Sequence, residues 1–144
     1  MSQPLKIATA SINTTALAIE QNISYIIEAI RKAAEEKADI LLLPELCISG
    51  YGAEDMFLCD DFIKHCHEAL VSLIKDIPDG LHVAVGFPLG LGIQDVYSGA
   101  ALLASGKLLG VVCKQHLALD GLHYEPRWFK PWPQGKKTAI EICG

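Results

Sequence analysis

The sequence has no cluster of positive charge: its 12 Lys and Arg stand singly among 17 Asp and Glu. With a net charge of -5 and an isoelectric point near 5.4, it offers no electrostatic footprint for nucleic acid or an anionic membrane. A small neutral or polar substrate is the expectation. No stretch approaches the roughly twenty uninterrupted apolar residues of a membrane span, and the start, MSQPLKIATASIN, carries too short an apolar run for a signal peptide. Neither export nor membrane insertion is expected. The five cysteines, Cys47, Cys59, Cys66, Cys113 and Cys143, are odd in number and lack both disulfide-framework spacing and a CxxC knuckle. They read as reduced thiols of a cytoplasmic protein. What is present is ordinary globular material, 51% hydrophobic and 20% charged, enough for one domain or a large piece of one.

Hydrophobic periodicity divides the chain. Residues 5–12 suit a buried strand, and Asn13, Thr14 and Thr15 offer capping side chains for a helix over 15–37. Along that helix Leu17, Ile19, Ile23, Ile26, Ile27, Ile30, Ala33 and Ala34 recur mostly at three- and four-residue intervals, with charge on the other face. Residues 40–43, Ile-Leu-Leu-Leu, are too few for a helix and typical of a strand covered on both faces. Pro44 ends it. A loop with Gly50 and Gly52 leads to Asp60-Asp61, from which a second helix runs through Phe62, Ile63, Cys66, Leu70, Leu73 and Ile74 to the turn Pro78-Asp79-Gly80. Residues 81–87 form a third strand, and 97–103 and 107–113 flank Ala104-Ser105-Gly106 as a hairpin. This alternation predicts an α/β protein with its sheet covered on one or both faces and functional loops at strand ends. Residues 116–133 are aromatic, proline-rich and aperiodic; 137–143 resume an apolar alternation, read as a further hairpin strand. The chain stops at Gly144 as though in mid-turn, which is expected of a shortened domain.

Two charges end two apolar strands. Glu45 directly follows Leu41-Leu42-Leu43-Pro44, where a desolvated carboxylate would have a raised pKa suited to a general base. Lys114 follows the strand ending at Cys113 and, if the strands neighbour one another, could stabilise an oxyanion in a shared crevice. A solvated loop Glu and a surface Lys are the plain alternatives. Glu125 lies eleven residues on, with Arg127 an obvious ion-pair partner, and its residue type alone assigns it no role.

These residues carry a resemblance. Leu42-Leu43-Pro44-Glu45-Leu46 followed by Ser49-Gly50-Tyr51 resembles the "LPEL…(S/T)GY" segment of the nitrilase superfamily. Val96 to Leu102, then Gly106-Lys107 and Lys114, resembles that family's hairpin leading to its lysine, and Glu125 to Phe129 resembles its "E-x-R-x-F" element. The loop 51–57 and the aromatic run 121–129 are most similar to the ammonia-producing domain of glutamine-dependent NAD synthetases. The resemblance spans essentially the whole chain.

The resemblance implies a nitrilase-type four-layer α-β-β-α sandwich, with residues 1–144 supplying about the first half of a carbon-nitrogen hydrolase (glutaminase) domain. It implies Glu45 as general base, Lys114 as oxyanion stabiliser, Glu125 as second carboxylate and Tyr51 as a wall of the substrate pocket. The implied chemistry is thiolate attack on the glutamine side-chain amide, loss of ammonia and hydrolysis of a thioester. No metal or organic cofactor is implied for the hydrolytic half; ATP and deamido-NAD belong to a separate synthetase domain absent from this sequence. Glutamine is the implied substrate and a homo-oligomer the expected assembly, because a half-sheet leaves an open edge and an uncovered face.

The sequence departs from the family pattern in places. Glu141-Ile142-Cys143-Gly144 imitates the family's "ICED" nucleophile segment, but follows Glu125 too closely and has Gly144 where an acid is expected, so the true nucleophile is placed beyond Gly144. Ser98 stands where Asn often follows the hairpin Tyr, and Asp120 replaces an aromatic. Other motifs fail. Gly135-Lys136-Lys137-Thr138 lacks the upstream Gly of a phosphate loop, Lys130 standing there; on a helix, Cys66 faces the core while His65 and His67 diverge; and Cys113 is read as packing although it adjoins Lys114. Beside the amidohydrolase reading stand another nitrilase-type enzyme acting on a nitrile, carbamoyl or ω-amide substrate, and a non-catalytic assembly module.

Overall fold

The computed structural model describes residues 4–92 and 95–143. Five strands, β1 (Ile7–Thr9), β2 (Ile40–Leu42), β3 (His82–Gly90), β4 (Val96–Ala104) and β5 (Lys107–Cys113), form one sheet in the order β1-β2-β3-β4-β5. The first three run parallel and the last two return antiparallel. Parallel neighbours need a crossover, supplied by helices α1 (Ile19–Glu35) and α2 (Asp60–Leu73). A tight turn suffices for β4 and β5, where Ser105 and Gly106 take φ of 48° and 67°.

Residue parity assigns the two faces of the sheet. Leu41, Val83, Val85, Phe87, Ala101, Leu103 and Cys113 share one face with Ile26 and Ile30 of α1 and Leu70 and Leu73 of α2 in the main core. The other face presents Leu42, Ala84, Ala100, Leu102 and Val112. It is largely open: Leu42 is 43% exposed and Val112 77%. Helices thus cover one face among the described residues, and the expectation that residues 40–43 are buried on both sides is corrected.

Two further expectations are corrected. Helix α1 begins at Ile19 rather than 15, and Asn13, Thr14 and Thr15 do not cap it: the N-cap, Ala18, makes no side-chain capping bond. Tertiary bonds hold the entry instead. Buried Asn22 accepts from the Thr15 N–H at 2.9 Å and donates to the carbonyls of Thr15 and Ile48, while the Leu17 N–H donates to Ser49 O. Residues 137–143 form no strand; Ile140 and Ile142 pack on the core, yet their backbone joins no ladder. The alternation is satisfied by packing alone. Gly144, where an acid was expected, lies outside the described residues. Among the described residues, no helix is long and apolar enough to cross a membrane.

Candidate active site

Local backbone constraints place Glu45. Past β2, the turn of Pro44 to Leu46 folds tightly over Gly86 of β3, where a Cβ would lie 2.3 Å from Pro44 O and 2.5 Å from Leu46 N. Only a glycine admits the loop there. Leu46, fully buried, takes φ of 50°, a conformation costly for a side-chain-bearing residue and held by its surroundings. The turn is fastened by the Ile48 N–H and the Cys47 thiol, both donating to Gly86 O. Glu45 is thereby delivered to the open face of the sheet.

Lys114 arrives from the other direction. It follows Cys113, whose side chain enters the helix-covered core, so the alternation of β5 turns Lys114 toward the open face. Its own N–H donates to Ser98 O at 2.8 Å. Glu125 comes from a short 3₁₀ turn, Glu125–Arg127, that Phe129 anchors by packing on Phe57 with ring centroids 4.7 Å apart.

The ammonium of Lys114 lies between the two carboxylates. Its Nζ donates to Glu45 Oε1 at 3.2 Å, Glu45 Oε2 at 3.3 Å and Glu125 Oε1 at 2.9 Å. Glu125, its side chain only 2% exposed, also accepts from the Tyr51 hydroxyl at 2.8 Å and from the Ala118 N–H at 2.7 Å. Glu45 accepts a 2.6 Å bond from the Ser98 hydroxyl. Of the four residues picked out in the sequence, Glu45 and Lys114 line one crevice of about 340 Å³ with Leu43, Gly86 and Ser98, and Glu125 and Tyr51 join them through hydrogen bonds.

Electrostatics follow from this geometry. Burial alone would raise Glu125, but hydrogen bonds from Lys114, Ala118 and Tyr51 outweigh it and leave the carboxyl below its ordinary value. Burial pulls Lys114 down, yet its bonds to Glu125 and Glu45 hold the ammonium above its usual range. Tyr51 is raised by burial and by the Glu125 carboxylate it faces, so it remains a neutral donor. The expected desolvation of Glu45 is not found, since its side chain is 39% exposed in this chain. The expected pairing of Glu125 with Arg127 is also corrected. Arg127 instead forms a two-point bond with Asp55, at 2.7 and 2.9 Å, and the Trp128 indole donates to the same carboxylate. That clamp ties the loop of Tyr51 to the turn of Glu125.

Cys113 borders the crevice, yet no cysteine hydrogen-bonds Glu45, Lys114 or Glu125 among the described residues. Burial pushes the thiols of Cys47 and Cys66 up to about 12 and that of Cys113 up to about 11, the inert direction. Cys143 is exposed and hydrogen-bonded to none of the site residues. His65 pairs with Glu20, His67 with Pro88 O and the Gly90 N–H, and no metal-holding cluster occurs among the described residues. The sequence marks Ser98 only as a departure from the family pattern and assigns neither it nor Asp55 a place in the site. A lone hydroxyl in an apolar strand signals a polar neighbour but does not say which.

A family model described as carbon-nitrogen hydrolase matches residues 6–143. The glutamine-dependent NAD(+) synthetase of Xanthomonas campestris is 36% identical over 141 residues, covering 97% of this chain and 25% of that protein. The Arabidopsis thaliana protein of the same name is 36% identical over 131 residues, 90% of this chain and 18% of its own length. This chain thus spans about a quarter or less of the curated relatives it matches. The crystal structure of a glutamine-dependent NAD(+) synthetase from Cytophaga hutchinsonii superposes with a TM-score of 0.90 at 35% identity, over 94% of this chain and 23% of that one. An amidase from Nesterenkonia, 23% identical, shares the fold with a TM-score of 0.77, over 90% of this chain and 49% of its own. The sheet with its covering helices is thus an α/β fold shared over about half the length of that amidase, and the chain belongs to the carbon-nitrogen hydrolase family.

Proposed function

We propose that this chain carries the acid-base half of a cysteine-dependent glutamine amidohydrolase that supplies ammonia for ATP-dependent conversion of deamido-NAD to NAD. The observation that carries the reading is the single ammonium of Lys114 held between Glu45 and Glu125 at the ends of two strands. Residues 1–144 are then a partial glutaminase domain, the ATP-using synthetase domain is separate, and the nucleophilic thiol comes from outside this sequence. The reading takes the protein to be cytoplasmic and homo-oligomeric.

In this mechanism Glu45 takes the proton of the thiol, and the thiolate attacks the side-chain amide carbon of glutamine. A C–S bond forms and the carbonyl electron pair moves onto oxygen, where Lys114 compensates the charge. The near-equal contacts from Nζ to the two oxygens of Glu45 can share one N–H, which leaves a donor for that oxyanion. Glu45 returns its proton to nitrogen as the C–N bond breaks and ammonia leaves. Water, deprotonated by Glu45, then cleaves the thioester to glutamate and free thiol. Glu125 keeps Lys114 charged and aimed, and Tyr51 borders the substrate.

The test is a chimera in which this chain replaces the matching stretch of the Xanthomonas protein. Glu45→Gln should lower glutamine-driven kcat about 10²- to 10⁴-fold, the usual contribution of positioned proton transfer. Lys114→Met should lower it about 10²- to 10³-fold, as for loss of one oxyanion donor. NAD formation from free ammonium should persist in both, since ammonium enters after amide cleavage. Failure of ammonium to rescue a soluble variant, or full glutamine use by Glu45→Gln, would overturn the roles. The unaltered 144-residue chain alone should release no ammonia above background, and release abolished by Cys143→Ala would relocate the nucleophile to Cys143.

A further inference from the structure

Ser98 does two things at once. Its hydroxyl donates to Glu45 Oε1 at 2.6 Å, and its carbonyl accepts the Lys114 N–H at 2.8 Å, so one residue of β4 fixes both the base and the strand end that carries the cation. It is buried, 4% exposed, and flanked by Tyr97 and Gly99 in a strand whose other residues are apolar. A hydroxyl so enclosed needs a partner, and Glu45 is the acceptor it reaches. The two oxygens of Glu45 consequently differ. Oε1 is held by both Ser98 and Lys114, whereas Oε2 receives only the longer 3.3 Å contact from Lys114.

We infer that Ser98 is a positioning residue that locks the Glu45 carboxylate by Oε1 and leaves Oε2 as the oxygen that takes and returns the proton. The inference rests on the reading of Glu45 as the base. With the proton on Oε2, Oε1 still accepts as a carbonyl oxygen, so the Ser98 bond can hold the carboxyl group in one orientation while the proton is taken and returned. The same bond stops rotation of the carboxyl group, which would otherwise exchange its two oxygens. Asn, which often stands at this place in the family the sequence resembles, could donate from its amide in the same sense.

The 144-residue chain with ¹³C-labelled glutamate carboxyls tests this directly, the Glu45 resonance being assigned by its loss in Glu45→Gln. At a fixed, mildly alkaline pH, Ser98→Ala should displace the Glu45 carboxyl resonance, as loss of a charge-assisted hydrogen bond does, and leave that of Glu125 in place. Ser98→Thr, which keeps the hydroxyl, should restore the original position. A merely structural role for Ser98 would move both resonances or neither. The inference is overturned if the Glu45 resonance stays in place in Ser98→Ala, or if Ser98→Thr moves it as far as Ser98→Ala. Should Ser98→Ala fail to fold, the unaltered chain decides: the Ser98 hydroxyl proton must be protected from exchange while Glu45 is ionised, and free exchange there overturns the inference. These readouts report on the Ser98–Glu45 bond alone, so they can fail while Glu45→Gln still abolishes glutamine use, and the reverse.

Discussion

Replacing Lys114 by Met would isolate the energetic problem this site solves. The Glu125 carboxylate is almost wholly out of water, with a side chain 2% exposed, and its one formal counter-charge among the described residues is the ammonium 2.9 Å away. Removing one partner of a buried pair typically costs about 3–5 kcal/mol, because the remaining charge stays desolvated. Two features reduce that here. The Lys114 side chain is 30% exposed, so water reaches the vacated place, and Glu125 keeps its bonds from Tyr51 and Ala118. A loss of about 2 kcal/mol near neutral pH follows, roughly a thirtyfold change in the folded-to-unfolded ratio. The sign with pH is fixed. Glu125 lies below its unfolded value in the intact site, so its contribution is present above that value and is lost as pH falls through the lowered one. Lys114 lies above its unfolded value, so its contribution is present below that value and is lost only as pH rises through the raised one. Without the cation Glu125 takes up a proton more readily, so the gap between the unaltered chain and Lys114→Met should narrow from about pH 7 to about pH 5. Urea unfolding at both values measures this, and the double variant with Glu125→Gln should recover at least half the loss at neutral pH. A loss under about 0.5 kcal/mol, as for an exposed ion pair, or one equal at both values, would refute the argument.

Gly86→Ala should destabilise the chain by about 1–3 kcal/mol, since the added methyl meets backbone, whereas Gly110→Ala has open space and should change stability by under about 0.5 kcal/mol in the same unfolding experiment. Leu102→Lys, in the middle of the open sheet face, should shift the isolated chain toward monomer in sedimentation analysis; unchanged association would clear that face as the cause. With a thiol-reactive dye, Cys143 should be modified first and Cys47 and Cys66 only on unfolding, and early labelling of Cys47 would contradict its burial.

The sequence by itself determined the order of elements, because each has its own periodicity: the apolar recurrence of α1, the alternation of β3 to β5 and the turn chemistry of Ser105-Gly106 act over a few residues. It also singled out Glu45 and Lys114, since a charge directly after an apolar strand is a local anomaly. Their partners were another matter. Arg127 is two residues from Glu125 yet bonds Asp55, 72 positions earlier, while Glu125 turns to Lys114 and Tyr51. Proximity in sequence suggested one pairing, and the packing of Phe129 on Phe57, which sets the direction of the intervening turn, decided another. The start of α1 was likewise misread from capping residues because Asn22, a turn further on, holds the entry loop against Ile48. The exposure of Glu45, the bond it accepts from Ser98 and the openness of one sheet face depend on which strands lie side by side. Such contacts join residues tens of positions apart, and no periodicity within a single segment encodes them; that is why the tertiary structure alone could decide them.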